Sequence, residues 1–323
     1  MPSTALWHPL PATLKQVFAP LSPVTLPYPM HNSRDYVAVS ILVLACWTLE
    51  ASEPKAANPN FHFRNATKHL YKSTDNARLH LHCFFPPNQQ RSDQRPAIVF
   101  FFGGGWINGT PQQFVPHCRH LASRGMVGIT AEYRVKSRHG TSPFECVQDG
   151  KSAIRWLRRQ ATQLGIDQDR IAAGGGSAGG HVAAVAGNVR GLEDPHEDTS
   201  ISSQPNALVL FNPVYDNGPG GYGHQQMQER WRDISPLHNI RRGAPPTIVF
   251  LGTKDQLIPV STAEKYKSLM AKAGSRCDLH LYENQTHGFF NRGRKNGRYG
   301  ETLRAMDKFL ISLGWLSGTE NSE

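Results

Sequence analysis

Three residues of this chain have the types and spacing that nucleophilic catalysis requires. Ser177 lies in Gly175-Gly176-Ser177-Ala178-Gly179, Asp255 follows the apolar run Thr247 to Leu251, and His287 lies in Asn284-Gln285-Thr286-His287-Gly288-Phe289. A serine hydroxyl is a weak nucleophile until an imidazole takes its proton. The imidazole in turn needs a carboxylate to fix its tautomer and stabilise its cation. Asp216 and Glu283 compete for the acid role, but Asp255 has the better context, a turn directly after a strand. The two separations leave room for one or two strand–helix units and then for one more.

A lone G-x-S-x-G is weak, and its flanks give it meaning. Arg170-Ile171-Ala172-Ala173 reads as a short buried strand and Gly180 to Asn188 as a helix rich in Ala and Val. Strand, sharp turn and helix would expose Ser177 at a helix N-terminus, where free N–H groups favour developing negative charge. Upstream, Pro96 to Phe102 is hydrophobic on both faces, as a central parallel strand should be. It runs into Gly103-Gly104-Gly105-Trp106, where glycines allow N–H groups to turn toward an oxyanion.

The periodicity predicts helices over Gln112 to Ser123, Pro143 to Leu164, Ala178 to Asn188, Ser261 to Ala273 and Glu301 to Leu313. Met126 to Glu132, Ala207 to Phe211, Thr247 to Leu251 and Leu279 to Tyr282 read as strands. Such alternation predicts an α/β fold, a doubly wound and mainly parallel sheet with helices on both faces. Ligands then bind at the strands' carboxyl ends. With 323 residues and 39% hydrophobic content, the chain can bury one large core, and no internal repeat is visible.

Taken together, these motifs resemble the hormone-sensitive-lipase-like branch of the α/β-hydrolase esterases, bacterial acetylesterases included. That family carries His-Gly-Gly-Gly after its third strand, Tyr-Arg after the next, and Gly-Asp-Ser-Ala-Gly-Gly at the nucleophile. The counterparts here are Gly103 to Gly105, Tyr133-Arg134 and Gly175 to Gly180, within a resemblance spanning residues 65–315. Phe102 departs from the family's His and Gly176 from its Asp, and neither change removes a triad member. With that His missing, packing of Phe102 and Trp106 is expected to hold the glycine loop.

The resemblance implies an α/β-hydrolase fold with a small cap near Pro219 to Gly223. It implies Ser177, Asp255 and His287 as the catalytic triad and the N–H groups of Gly104, Gly105 and Ala178 as the oxyanion hole. It further implies hydrolysis of short-acyl, chiefly acetyl, esters through an acyl-enzyme, with no cofactor. The substrate would be a small-molecule or carbohydrate ester. Two alternatives stand beside this: a serine amidase or peptidase of the same fold, and a non-catalytic binding protein on a hydrolase scaffold.

The first residues read differently. Prolines punctuate residues 2–29, which show no sustained periodicity. Met30 to Arg34, the apolar run Val37 to Trp47 and the small residues Ala51 and Ser52 have the layout of a secretory signal. The expectation is a start at Met30, a signal over 30–52 and export to the periplasm or medium; without a working signal the protein would be cytoplasmic. The run is too short for a stable membrane span, and Leu44 and Trp47 fit a lipoprotein box at Cys46 poorly. Domains follow as a leader over 1–57, a catalytic domain over 58–316 and a flexible tail over 317–323.

Other chemistries find less support. The five cysteines, at 46, 83, 118, 146 and 277, form no C-x-x-C framework, though an exported protein could hold a disulfide. His80 with His82 and His117 with His120 share faces without a third ligand, so no metal site is expected. The net charge of +10 comes without a nucleic-acid motif, and no nucleic-acid partner is expected. Arg155, Arg158 and Arg159 read as a solvated helix face. Arg292, Arg294, Lys295 and Arg298, just after His287, read as a basic rim that would attract anionic substrates. His181 reads as a helical residue that packs or caps locally.

Overall fold

Residues 59–318 are described by the computed structural model. The leader, with its signal segment 30–52 and Cys46, lies outside the described residues, as does most of the tail. Eight strands form one sheet: β1 (Thr67–Thr74), β2 (Ala77–Phe84), β3 (Arg95–Phe101), β4 (Val127–Ala131), β5 (Ile166–Gly176), β6 (Ala207–Phe211), β7 (Thr247–Gly252) and β8 (Cys277–Tyr282). Their order is β1-β2-β4-β3-β5-β6-β7-β8. β1 and β2 form an antiparallel hairpin that adds to β4 antiparallel, and β3 to β8 run parallel to their neighbours. This is the doubly wound sheet that the alternation predicts.

Helices α1 (Val115–Ser123), α2 (Pro143–Arg159), α3 (Ala178–Asn188), α4 (Val260–Lys272) and α5 (Tyr299–Ser312) cover it. Strand alternation divides the core between the two faces. From β3, Ala97, Val99 and Phe101 point to the side of Val147 and Ile154 of α2, Val182 of α3 and Met270 of α4. Ile98 and Phe100 point to the other side, with Leu121 of α1 and Met306 and Leu310 of α5. The ends of α2 follow local rules: Pro143 occupies the first turn, and Ser142 and Glu145 form a reciprocal capping box. The predicted helix over 143–164 breaks at Gln160 into α2 and one further turn, Ala161–Leu164, closed by Gly165 in the left-handed region.

The expectation of a solvated arginine face on α2 is corrected. Arg155 is 3% exposed, its guanidinium held by Glu193 and Glu197. Arg158 is half-buried and donates to the carbonyls of Gln168, Ser202 and Gln204. Beside them Lys151 donates to the carbonyls of Val189 and Gly191 and pairs with Glu193 at 2.8 Å. These cations fasten the long connection after α3 to α2, and only Arg159 of the three arginines is exposed. Apart from Gln168, their partners lie some forty residues downstream, beyond the reach of a helical pattern.

The histidine pairs also have protein partners. His80 and His82 both bond Glu132, at 3.2 and 2.9 Å, and His120 bonds Asp307 at 2.9 Å. Among the described residues no cluster of His, Cys, Asp and Glu is arranged to hold a metal ion, and Cys83, Cys118, Cys146 and Cys277 are free thiols. No helix among them is long and apolar enough to cross a membrane.

His117 is the exception, fully buried with neither ring nitrogen bonded. It lies among Phe100, Phe114, Phe211, Phe290 and Tyr299. Burial, with a smaller push from His120, lowers its pKa to about 3. The folded ring is therefore neutral across a range where an unfolded one takes a proton. Its contribution to stability is full above about pH 6.5 and drains as pH falls toward the folded value. His117→Leu is expected to gain stability relative to wild type below about pH 6.5, by up to about 1.4 kcal/mol per pH unit. Urea unfolding at pH 7.5 and pH 5 would show it, and a difference that is the same at both would exclude it.

Candidate active site

Parallel register brings the ends of five strands to one edge. Phe101 pairs with Gly175, Gly176 with Phe211, and Phe211 with Phe250. The residues that follow, Gly103, Ser177, Asn212, Asp255 and His287, therefore emerge on the same side. Ser177 stands at the β5–α3 junction with φ 54° and ψ −120°, a positive φ that a residue with a Cβ rarely adopts. A Cβ on Gly179 would lie 2.0 Å from the carbonyl oxygen of Phe101. Only glycine there lets α3 approach β3 closely enough to make the turn.

Asp255 accepts the N–H groups of Leu257 and Ile258 with Oδ1, at 2.9 and 3.0 Å. Its Oδ2 lies 2.8 Å from His287 Nδ1. The Asp255 side chain is fully buried and that of His287 is 24% exposed. Since a carboxylate only accepts, Nδ1 carries a proton, and in the neutral ring Nε2 then keeps its lone pair. Loop stitching fixes the pair: Thr253 N–H donates to the Tyr282 carbonyl and Lys254 N–H to that of Gln285. Asp216 instead caps Gly218 and faces His238, and Glu283 is exposed.

Ser177 and His287 line one cavity of about 310 Å³, together with Gly103 to Gly105 and Tyr222. A larger cavity of about 500 Å³ lies at the β1–β2 hairpin, beside Lys68, Asp75 and His80, and includes neither of them. Gly104 and Gly105 have φ 129° and 63°, which only glycine adopts readily. Beneath them Phe102 is fully buried, its ring stacked on Tyr133 at 4.1 Å. The Tyr133 hydroxyl donates to the Phe102 carbonyl at 2.6 Å, and burial holds that phenol well above its ordinary pKa. Arg134 forks onto Asp149 through two bonds of 2.8 Å. Trp106 is 1% exposed and meets His181 edge-on; His181 packs as expected and also bonds Asn217 at 3.0 Å.

The structure adds groups that sequence reasoning missed. Gln113 accepts the Gly103 N–H at 2.7 Å and donates to Asn291 at 2.9 Å. Asn212 Nδ2 lies 3.3 Å from His287 Nε2. Ile107 and Leu257, exposed at 43% and 44%, form an apolar rim on the cavity. Asn212 had a usable signal, a polar residue directly after the apolar run of β6. The cap expected near Pro219 to Gly223 is small: Tyr222 reaches the cavity, and the helices nearby, His224–Met227 and Trp231–Ile234, have four residues each. Arg292, Arg294, Lys295 and Arg298 are exposed. Of these, Arg294 lies against the histidine loop, bonded to Thr286 at 3.0 Å.

This sheet, its elbow and its edge of loops define an α/β-hydrolase. Residues 81–216 match the BD-FAE family and residues 221–313 the dienelactone hydrolase family. Thermogutta terrifontis esterase 2, solved phosphorylated by paraoxon and bound to butyrate, is 46% identical in sequence. It superposes with TM-scores of 0.76 and 0.75 over 79% of this chain and 96% of its own. Carboxylesterase NlhH of Mycobacterium tuberculosis is 34% identical over 64% of this chain and 70% of its own length. Esterase LipC of the same organism is 29% identical over 67% of this chain, which here spans only 58% of the relative's length. The chain belongs to the α/β-hydrolase superfamily of esterases.

The close approach at Gly179 gives a stability test. Gly179→Ala is expected to cost at least about 3 kcal/mol, the upper end for overpacking, because the obstructing atoms are backbone. Gly300, helical and 3.5 Å from only the tip of Arg304, is the control, where Ala should be neutral or gain up to about 1 kcal/mol. Equal unfolding free energies for the two variants would refute the packing account.

Proposed function

We propose that the protein is a serine carboxylic-ester hydrolase acting on short-acyl esters through Ser177, His287 and Asp255. The bond between His287 Nδ1 and Asp255, which leaves Nε2 unprotonated in the cavity that Ser177 lines, carries this reading. Ser177 Oγ attacks the ester carbonyl as Nε2 takes its proton, and the carbonyl oxygen becomes an anion. The N–H groups of Gly104, Gly105 and Ala178 receive it. Among the described residues Gly104 and Gly105 donate to no other group, whereas Gly103 is already engaged by Gln113. Collapse breaks the bond to the alcohol, which leaves with the proton from His287. Water then enters by the same route, releasing the acid and restoring Ser177. The chemistry balances without a cofactor.

The cavity's small volume and short apolar rim support acetyl to butyryl acyl groups. Its carboxamides and the Tyr222 hydroxyl support a polar alcohol, a carbohydrate among them. The Gly103 to Gly105, Tyr133-Arg134 and Gly175 to Gly180 motifs support the hormone-sensitive-lipase-like branch. A catalytic domain over 58–316, exported by segment 30–52, belongs to the same reading.

Ser177→Ala is expected to fold normally and lose at least about 10³-fold in kcat/KM for p-nitrophenyl acetate. His287→Ala should lose nearly as much and Asp255→Asn somewhat less, since the three act as one unit. A larger loss from Asp216→Asn or Glu283→Gln would reassign the acid, and an active Ser177→Ala would end the assignment.

A chain-length series tests the substrate. Acetate and butyrate esters should exceed octanoate by about tenfold or more in kcat/KM, equivalent to about 1.4 kcal/mol in barrier. Acetylated sugars and anilides belong in the same panel. Preference for octanoate would overturn the short-acyl reading, and anilides turned over faster than esters would favour an amidase.

A further inference from the structure

We propose that Gln113 and Asn291 are positioning residues that join the glycine loop to the histidine loop through one directional chain of amide hydrogen bonds. The Gly103 N–H can only donate, so the Gln113 atom 2.7 Å away is its Oε1. Gln113 Nε2 then donates to Asn291 Oδ1 at 2.9 Å, and Asn291 Nδ2 donates to the Gly288 carbonyl at 2.8 Å. The Gly288 N–H donates in turn to Asn212 Oδ1 at 2.9 Å, which turns the Asn212 NH₂ toward His287 Nε2 at 3.3 Å. Each orientation is dictated by its neighbour, so no amide can flip alone. Through the conjugated amides of Gln113 and Asn291 the bonds run in one direction and polarise one another, and at Gly288 the backbone passes from one peptide unit to the next, fixing Asn212 by position.

The chain answers what Phe102 leaves open. Its ring packs against Tyr133 but offers no hydrogen bond to the glycine loop, and Gln113 supplies one from the turn that follows. By engaging the Gly103 N–H, Gln113 anchors the peptide unit that enters the glycine loop, while the Ile107 and Asn108 N–H groups hold the Gly104 carbonyl at 3.0 and 3.1 Å. Through Asn291 and Gly288 the same side chain bears on the residue next to His287. The donors expected to receive the oxyanion and the imidazole that moves the proton are thereby held in one register. This rests on the esterase reading, and losses are therefore measured relative to wild type.

Four variants test it with p-nitrophenyl butyrate: Gln113→Leu, Asn291→Leu, their double variant, and Gln113→Glu. Gln113→Glu keeps the side chain's shape, but as a carboxylate it cannot donate to Asn291. It carries the test should Gln113→Leu fail to fold. Each single variant is expected to lower kcat about tenfold or more while KM stays within about threefold, the signature of an interaction made in the transition state. The double variant should fall within about twofold of the worse single one, because breaking one link already uncouples the chain. Gln113→Glu with kcat within twofold of wild type, or losses that multiply in the double variant, would overturn the proposal. Inactive wild-type protein would instead count against the esterase reading. In that event the coupling is read from unfolding free energies, where the Leu variants' losses should be less than additive, and full additivity would overturn it.

Discussion

The strained turn at Ser177 is the constraint on which the site depends. A non-glycine residue at φ 54° costs on the order of 1–3 kcal/mol and persists only where its surroundings over-determine it. Here they do so from three sides. The Ser177 N–H donates to the Phe211 carbonyl of β6, while its own carbonyl accepts from His181 and Val214. Gly179 brings the first turn of α3 against the end of β3, where only a hydrogen fits. The Ser177 side chain is thus aimed by the backbone, leaving its hydroxyl available for chemistry.

The remaining site elements are placed by the same register. Because β3, β5, β6 and β7 pair in parallel and end together, one residue past β5 or β6, two past β3 and three past β7 bring Ser177, Asn212, Gly103 and Asp255 to the same edge. The chain spends its long connections elsewhere. The one after α3 is pinned by Lys151, Arg155 and Arg158, and the hairpin side by Lys72, Asp149 and Arg134. Charges this deeply placed are tolerated because each cation meets a carboxylate or a backbone carbonyl and Asp149 meets both Lys72 and Arg134. They hold surface segments against the core without entering the cavity.

The sheet was readable in the sequence because buried parallel strands are continuous apolar runs: Ala207 to Phe211 matches β6 residue for residue, and Ala178 to Asn188 matches α3. Ser177 and Asp255 were readable because each follows such a run, and His287 because it follows the alternating edge strand β8. Arg155 and Arg158 were misread because exposure was inferred from residue type, whereas their burial depends on Glu193, Glu197 and backbone carbonyls after α3. Gln113 and Asn291 left no trace, since a bond between residues 178 positions apart has no local period. Phe102 could be read as a missing hydrogen-bonding group, but its replacement was in a turn that the helical pattern over Gln112 to Ser123 had absorbed.

A cavity so rich in carboxamides sits on an aromatic floor, and the two depend on each other. Phe211 stacks on Phe250 at 4.8 Å and on Phe290 at 4.7 Å, and Gly176 leaves no room for a Cβ against Phe290. Water is excluded from below, so bonds just above that layer act in a lower dielectric than in solvent, where each is stronger and each unmade one more costly. Satisfying those groups with amides rather than charges adds no field to compete with the Asp255–His287 pair. Among the described residues, the ionisable side chains bordering the cavity are His287 and the Tyr222 phenol, and Arg294 is held outside it on Thr286. The polar lining orients the site, and the buried aromatic layer beneath it raises the cost of leaving any of those lining groups unbonded.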